Sequence, residues 1–146
     1  MTRNKLSHVA FILDGNKRWA KKNNHSKING YKNGFDKIKD IINLSLKIKL
    51  SNLTLFTLSS ENINRNSVKI IFEIIYKNFS ELIEQIVSDK NIKIKIIGSK
   101  DNLPKKLIDI LNQAEEITKN NKRLKLNLAF NYGFKDEIYS VLKKIK

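Results

Sequence analysis

Residues 8–22 read HVAFILDGNKRWAKK. The apolar run from His8 to Leu13 stops abruptly at Asp14-Gly15-Asn16, which predicts a buried strand over 8–13 that ends in a glycine turn. Lys17, Arg18, the only tryptophan (Trp19) and the pair Lys21-Lys22 follow at once. A tight turn needs a glycine and an amide. It does not need a carboxylate in front and a group of cations behind. A short apolar strand running through a glycine into a new helix is the opening of an α/β unit, and ligands of open α/β sheets bind beyond the carboxyl ends of the strands.

Outward from this stretch, strand and helix patterns alternate. Residues 35–49 place Phe35, Ile38, Ile42 and Leu46 at helical spacing. Residues 53–58 (LTLFTL) form a second apolar strand. Residues 67–90 predict a long helix with Val68, Ile71, Phe72, Ile75, Phe79, Leu82, Ile83, Ile86 and Val87 on its apolar stripe, widened by Ile70 and Ile74. Residues 92–97 (IKIKII) alternate as a strand with one wet face. Asp101-Asn102-Leu103-Pro104 supplies an Asx cap and an early proline for a helix ending near Lys119. Residues 124–130 (LKLNLAF) are a fourth strand, NYGF a turn, and 135–145 a last helix. The order βαβαβαβα predicts an α/β fold, a mostly parallel sheet flanked by helices with right-handed crossovers. No repeat or linker divides residues 1–146, so one domain is expected.

The chain of 146 residues is 40% hydrophobic, enough for a core of its own. The lack of cysteine excludes disulfides, thiolate metal sites and a cysteine nucleophile. No apolar run approaches the ~18 residues of a spanning helix, and MTRNKLSHVAF lacks the apolar segment of a secretory signal. The expectation is a cytoplasmic protein. The net charge of +15 suggests nucleic acid at first sight. However, 25 of the 29 cations are lysine, beside 22 isoleucines and 19 asparagines. All three have A/T-rich codons, so codon bias explains much of the excess. The four arginines, Arg3, Arg18, Arg65 and Arg123, say more, because the guanidinium fork suits phosphate. A nucleic-acid-binding module would need a contiguous basic face with aromatics for stacking, and the lysines here are dispersed. No nucleic-acid partner is expected.

Three strand ends carry polar clusters. In the first, Gly15 lets backbone approach a ligand, the amides after it begin a helix whose N-terminus favours phosphate, and Arg18 adds a fork. Asp14 would repel a phosphate unless a cation lay between them, so Asp14 is a natural Mg²⁺ ligand with a diphosphate completing the coordination. The plainer reading is an Asx turn with incidental cations; on this stretch alone the two weigh equally. In the second cluster, Ser59, Ser60 and Asn62 can orient a polar substrate and Arg65 can take another phosphate. Its plain reading is a helix cap by Ser59 or Ser60 with Glu61 in the first turn. Taken singly the cap is favoured; beside Asp14 on one sheet edge it loses ground. Asn131-Tyr132-Gly133 is a third, weaker cluster.

HVAFILDGNKRWA, GYKNG, LTLFTLSSENINR and LNLAFNYG together resemble successive blocks of the cis-prenyltransferases, the undecaprenyl diphosphate synthase family, in order and spacing over essentially the whole chain. The resemblance implies a transferase that condenses isopentenyl diphosphate onto an allylic diphosphate to make a polyprenyl diphosphate. It also implies Mg²⁺ and an α/β fold with an elongated apolar tunnel. It makes Asp14 the essential aspartate that handles metal and diphosphate, and it puts Gly15, Asn16 and Arg18 in the phosphate loop with Trp19 beside it. Ser59, Ser60 and Glu61 fall on the substrate-contacting stretch. Asn62 falls on the residue that helps remove the proton, and Arg65 on a second substrate-binding arginine. Four substrate-binding positions depart from the pattern: Lys17 stands for a glycine, Lys27 for an arginine, Tyr31 for a histidine and Ile63 for a tryptophan. Lys17 would hinder backbone approach to phosphate, Lys27 loses the fork, and Tyr31 removes a titratable group. The wide stripe of 67–90 would suit a helix facing the sheet on one side and a tunnel on the other, although a simply well-buried helix is the better reading of the pattern.

Family chains continue past the equivalent of Lys146 with a further strand, an arginine-serine motif for isopentenyl diphosphate and a Mg²⁺-binding glutamate. No such segment occurs in these 146 residues. A gene fragment, a degenerate subunit that needs a partner and a minimal variant are the alternatives, and the activity of the isolated chain stays open. The resemblance implies a homodimer, or a heteromer with a complete subunit, and contact with a membrane surface through the apolar product. A non-catalytic partner subunit is the second hypothesis; the presence of Asp14 and Arg18 weighs against it, since a scaffold needs neither.

Overall fold

The computed structural model describes residues 6–59, 68–89, 91–101 and 103–145. In chain order the elements are β1 (His8–Ile12), α1 (Asn16–Lys22), α2 (Lys27–Lys47), β2 (Asn52–Ser59), α3 (Val68–Asp89), β3 (Ile92–Ile97), α4 (Lys105–Thr118), β4 (Leu124–Tyr132) and α5 (Phe134–Lys144). The strands form one parallel sheet in the order β1-β2-β4-β3, with β4 inserted between its predecessors.

The register decides which side chains share a face. Val9 lies opposite Leu53, Leu53 opposite Leu126 and Leu126 opposite Ile94; one step on, Phe11, Leu55, Leu128 and Ile96 form the next row. Because strand side chains alternate, these rows make one apolar face. All but Phe11 join Ile38 and Ile42 of α2, Phe72, Ile75, Phe79 and Leu82 of α3, and Leu107, Leu111 and Ala114 of α4 in or against the core. Phe11 is exposed, and β1, an edge strand, is mostly open to solvent rather than buried as its apolar run predicts. The opposite face is polar at its middle. There the Thr54 hydroxyl is shared by the His8 ring (2.8 Å) and the Asn127 amide (3.1 Å), a row across three strands.

The β3 edge is closed by side chains rather than by another strand. The Ile94 amide donates to Thr118 Oγ1 at 3.0 Å, the Ile96 amide to Glu115 Oε1 at 2.9 Å, and Asn121 donates to the Ile92 carbonyl. This removes the unpaired edge that invites association. Partial burial pushes the Glu115 carboxyl up, but the Ile96 amide and the Lys95 and Lys100 ammonium groups outweigh it and hold it below its ordinary value.

Several boundaries differ from the sequence pattern. Two helices, not one, connect β1 to β2, because α1 ends at Lys22 and α2 starts at Lys27 rather than at residue 35. Ser26 caps α2 by accepting from the Asn29 amide. The glycines Gly30 and Gly34 hide this helical start, since glycine is a poor helix former. α4 begins at Lys105, directly after Pro104, without a side-chain cap; Asp101 instead accepts from the Ser99 hydroxyl at 2.7 Å. Asn102 lies outside the described residues, as do the side chains of Val68, Ile70, Ile71 and Val87. NYGF is not wholly a turn: Asn131 and Tyr132 continue β4, Tyr132 pairing with Ser59 of β2.

Candidate active site

β1 delivers Asp14 to the carboxyl edge of the sheet. The Leu13 amide still bonds to the Phe56 carbonyl of β2 at 3.1 Å, and the next residues turn away. Gly15 has φ 96°, a left-handed conformation strained for any residue with a Cβ. Asn16 then opens α1. Asp14 Oδ1 accepts from the Gly15 amide at 2.5 Å, and Oδ2 accepts from Arg18 Nη2 at 3.0 Å. The carboxylate bonds the amide of the very next residue and caps no helix, so the expected Asx turn is not formed; one oxygen holds the Gly15 amide and the other holds the arginine. The pair is open to solvent, with side-chain exposures of 80% for Arg18 and 74% for Asp14. Trp19 stacks on His25, ring centroids 5.4 Å apart.

The GYKNG stretch seats this loop. Gly30 and Gly34 lie inside α2 with ordinary helical backbone, and it is space that requires them. A Cβ at Gly30 would stand 2.5 Å from the Asn16 carbonyl oxygen and 2.8 Å from the Ala20 Cβ. A Cβ at Gly34 would overlap the Asn16 side chain, 3.1 Å from its Cγ. Each glycine costs α2 about 1 kcal/mol of helix propensity relative to alanine, and the close approach of α1 is what that cost permits.

Behind the loop lies a cavity of about 830 Å³. Asp14, Gly15, Asn16, Lys17, Arg18 and Trp19 line it on the polar side. Its walls are Tyr31, Phe35, Ile38 and Ile41 of α2, Phe11, Leu13, Leu58, Leu128 and Phe130 of the sheet, and Ile75, Phe79 and Leu82 of α3. Phe79 and Phe130, both almost fully buried, meet edge to face at 5.5 Å in this wall. Ile75, Phe79 and Leu82 of the main α3 stripe line the cavity, while Ile74, one of the residues that widen the stripe, is buried away from it, as the well-buried helix predicts.

Of the residues singled out by sequence, Asp14, Gly15, Asn16, Lys17, Arg18, Trp19 and Tyr31 meet at this cavity. Lys27, the first residue of α2, is exposed and not part of the lining. Ser59 closes β2, partly buried, also outside the lining. Ser60, Glu61, Asn62, Ile63 and Arg65 lie outside the described residues. The third cluster fastens the fold: the Asn131 side chain donates to the Asp101 carbonyl at 2.8 Å, and the Tyr132 ring packs on Phe56. A hydrogen bond from the Tyr132 phenol to Glu137 holds that phenol above its ordinary pKa. Sequence reasoning did not single out Phe35, Thr57 or Leu58 as lining, nor Gly30 and Gly34 as the seat of the loop. Two glycines four residues apart inside a helical pattern were the available signal. Among the described residues no three His, Cys, Asp or Glu side chains cluster to hold a metal.

A charged loop at the mouth of a large apolar cavity, at the carboxyl edge of a parallel sheet, fits a ligand with an anionic head and a hydrocarbon tail. Residues 12–146 match the prenyltransferase family model described as "Putative undecaprenyl diphosphate synthase". The chain belongs to this prenyltransferase family. Among curated relatives, the isoprenyl transferase of Streptococcus pneumoniae strain R6 is 36% identical over 141 residues, which cover 95% of this chain and 56% of that protein. The isoprenyl transferase of Rickettsia sibirica is 39% identical over 141 residues, covering 96% and 62%. Among solved prenyltransferase structures, lavandulyl diphosphate synthase from Lavandula x intermedia, in complex with dimethylallyl diphosphate, superposes with a TM-score of 0.85 at 28% identity, over 97% of this chain and 61% of that one. A probable undecaprenyl diphosphate synthase from Campylobacter jejuni gives 0.76 at 28% identity, over 98% and 62%. This prenyltransferase chain therefore spans about three fifths of the length of these relatives.

Proposed function

We propose that the cavity and its loop are the allylic-diphosphate site of a cis-prenyltransferase, an enzyme that condenses isopentenyl diphosphate onto an allylic diphosphate to build a polyprenyl diphosphate. The observation that carries this reading is the junction of the Asp14–Arg18 loop with the apolar cavity. A prenyl diphosphate needs both, a charged cradle for the head and a dry channel for the tail. The family match and the dimethylallyl diphosphate held by the lavender homologue support it.

The chemistry follows from the loop. Ionisation of the allylic C–O bond builds negative charge on the departing diphosphate. In this reading the Arg18 guanidinium and the amides that open α1 oppose that charge, and fixed donors of this kind stabilise a transition state without reorganising. The second substrate's alkene then attacks the allylic carbon and a proton is lost; by resemblance Asn62 assists at that step. Phe35, Phe79 and Phe130 keep water from the carbocation.

Asp14 fits a magnesium ion on its chemistry. It is a hard, solvent-exposed carboxylate, and each oxygen keeps a lone pair beyond the bond it accepts from Gly15 or Arg18. Magnesium is commonly held by one or two carboxylates plus substrate phosphates, so a lone aspartate suffices when the diphosphate supplies the rest. The ion would neutralise charge on the leaving group. For assembly we take the resemblance's reading, a homodimer or a heteromer with a complete subunit. Its support is α5, which buries no residue and leaves Phe134, Ile138, Tyr139 and Leu142 exposed, with Ile145 exposed just after it.

The test compares the equilibrium affinities of farnesyl diphosphate, farnesol and inorganic diphosphate, each with and without Mg²⁺. Farnesyl diphosphate should bind tighter than either fragment, and Mg²⁺ should strengthen it. Binding no better than inorganic diphosphate would mean that the cavity takes no prenyl tail.

A further inference from the structure

The diphosphate loop is not held by its own turn alone. Its first helical residue, Asn16, rests on α2, and the two glycines beneath it act differently. An added Cβ at Gly30 meets the Asn16 carbonyl and the Ala20 Cβ, atoms that move only if α1 moves as a body. An added Cβ at Gly34 meets the Asn16 side chain first, its three nearest atoms including Cγ at 3.1 Å and Nδ2 at 3.3 Å. Alanine would favour α2 as a helix at both places, so the contact with α1 is what excludes it. The same helix carries Tyr31, Phe35 and Ile38 into the cavity wall, so α2 sets the loop and the tail channel relative to each other.

We infer that Gly34 is a positioning residue, which acts through the Asn16 side chain to set where the Asp14–Arg18 loop meets a diphosphate. The inference rests on the proposed diphosphate site for its effect on binding, but not for its effect on the loop. A methyl group at residue 34 forces the Asn16 side chain out of its seat. Asn16 is joined directly to Gly15, whose amide ties the Asp14 carboxylate, so the displacement reaches the groups that face the ligand.

The experiment uses Gly34→Ala, Asn16→Ala and the double variant. It reads the backbone amide resonances of residues 15–19 without ligand, and the affinity for farnesyl diphosphate with Mg²⁺. Gly34→Ala should shift the loop resonances and weaken binding on the order of tenfold, the loss of one charge-assisted contact. In the Asn16→Ala background the same substitution should change neither, because the atoms it strikes are gone. If Gly34→Ala alone fails to fold, rescue of folding by Asn16→Ala demonstrates the same contact, and a double variant that also fails to fold refutes it. Unmoved loop resonances, or an equal loss of affinity in both backgrounds, would overturn the assignment. If the wild-type chain shows no affinity for farnesyl diphosphate while the resonances behave as stated, the diphosphate reading falls and the positioning of the loop by Gly34 stands.

Discussion

Replacing Arg18 with methionine separates binding from stability at the candidate site. The Arg18–Asp14 pair spans 3.0 Å at i,i+4 spacing, and both partners are largely exposed. Solvent screens such a pair, so its contribution to folding is about 0.3–0.5 kcal/mol. For a domain of this size that is roughly 1–2 °C in Tm. Its loss leaves Asp14 hydrated rather than buried and unpaired, so no desolvation penalty is added. Against a diphosphate the same guanidinium offers charge-assisted hydrogen bonds of about 1.5–3 kcal/mol, or roughly 10- to 150-fold in affinity. Arg18→Met is therefore expected to melt within a few degrees of wild type and to bind farnesyl diphosphate at least tenfold more weakly. Arg18→Lys should fall between the two, keeping the charge and losing the fork. Trp19, adjacent to Arg18 and the chain's only tryptophan, provides a fluorescence signal for the titration, and calorimetry checks it. Unchanged affinity would refute the role of Arg18 at the head group. A fall in Tm well beyond 5 °C would show that the pair is structural and that its exposure has been misread.

Three further substitutions probe the site and its frame. Asp14→Asn keeps an acceptor for the Gly15 amide but loses the charge, so the fold should survive while Mg²⁺ ceases to strengthen farnesyl diphosphate binding; a retained Mg²⁺ effect would place the ion elsewhere. Thr118, fully buried, accepts from the Ile94 amide and donates to the Ala114 carbonyl. Thr118→Val should cost about 1–3 kcal/mol in denaturant unfolding because a buried amide loses its partner, whereas a loss under about 0.5 kcal/mol would mean that water reaches the β3 edge. Glu115 titrates below its ordinary 4.5 in the folded chain, so its contribution to stability is present above pH 4.5 and lost as acid protonates it. Glu115→Gln should lower Tm at neutral pH and flatten its fall as the pH drops below 4.5; parallel Tm curves for the two proteins would contradict this.

How far the sequence was legible depended on whether a signal was local. β3 came out with its bounds because Ile92, Ile94 and Ile96 alternate with lysines or partly exposed positions over the whole strand. The start of α2 was hidden because two glycines and several asparagines dilute the helical pattern, while the contact that makes glycine necessary comes from Asn16 on another helix. Asn131 and Tyr132 look like turn residues, and Asn131 has φ 47°, yet β2 pairing carries the strand through them. Asp14, Gly15 and Arg18 were legible as one charged loop, which the structure brings together at the cavity, since they lie within five residues of chain. Lys27, assigned through resemblance, and Ser59, singled out at the end of the second strand, both lie outside the cavity lining.

The sequence by itself determined the alternation of strands and helices, the acid-glycine-cation loop at the first strand end, and the four blocks that mark the prenyltransferase family. These rest on periodicity and on side chains adjacent in the chain, which local sterics and hydrogen bonding translate directly into shape. Only the tertiary structure decided that β4 lies between β2 and β3, that α3 turns Ile75, Phe79 and Leu82 toward a cavity, and that Gly34 makes room for Asn16. Those outcomes depend on which distant backbones pair, as Leu53 does with Leu126, and on volumes contributed by separate elements. No local pattern encodes a space that exists only after three elements have packed around it.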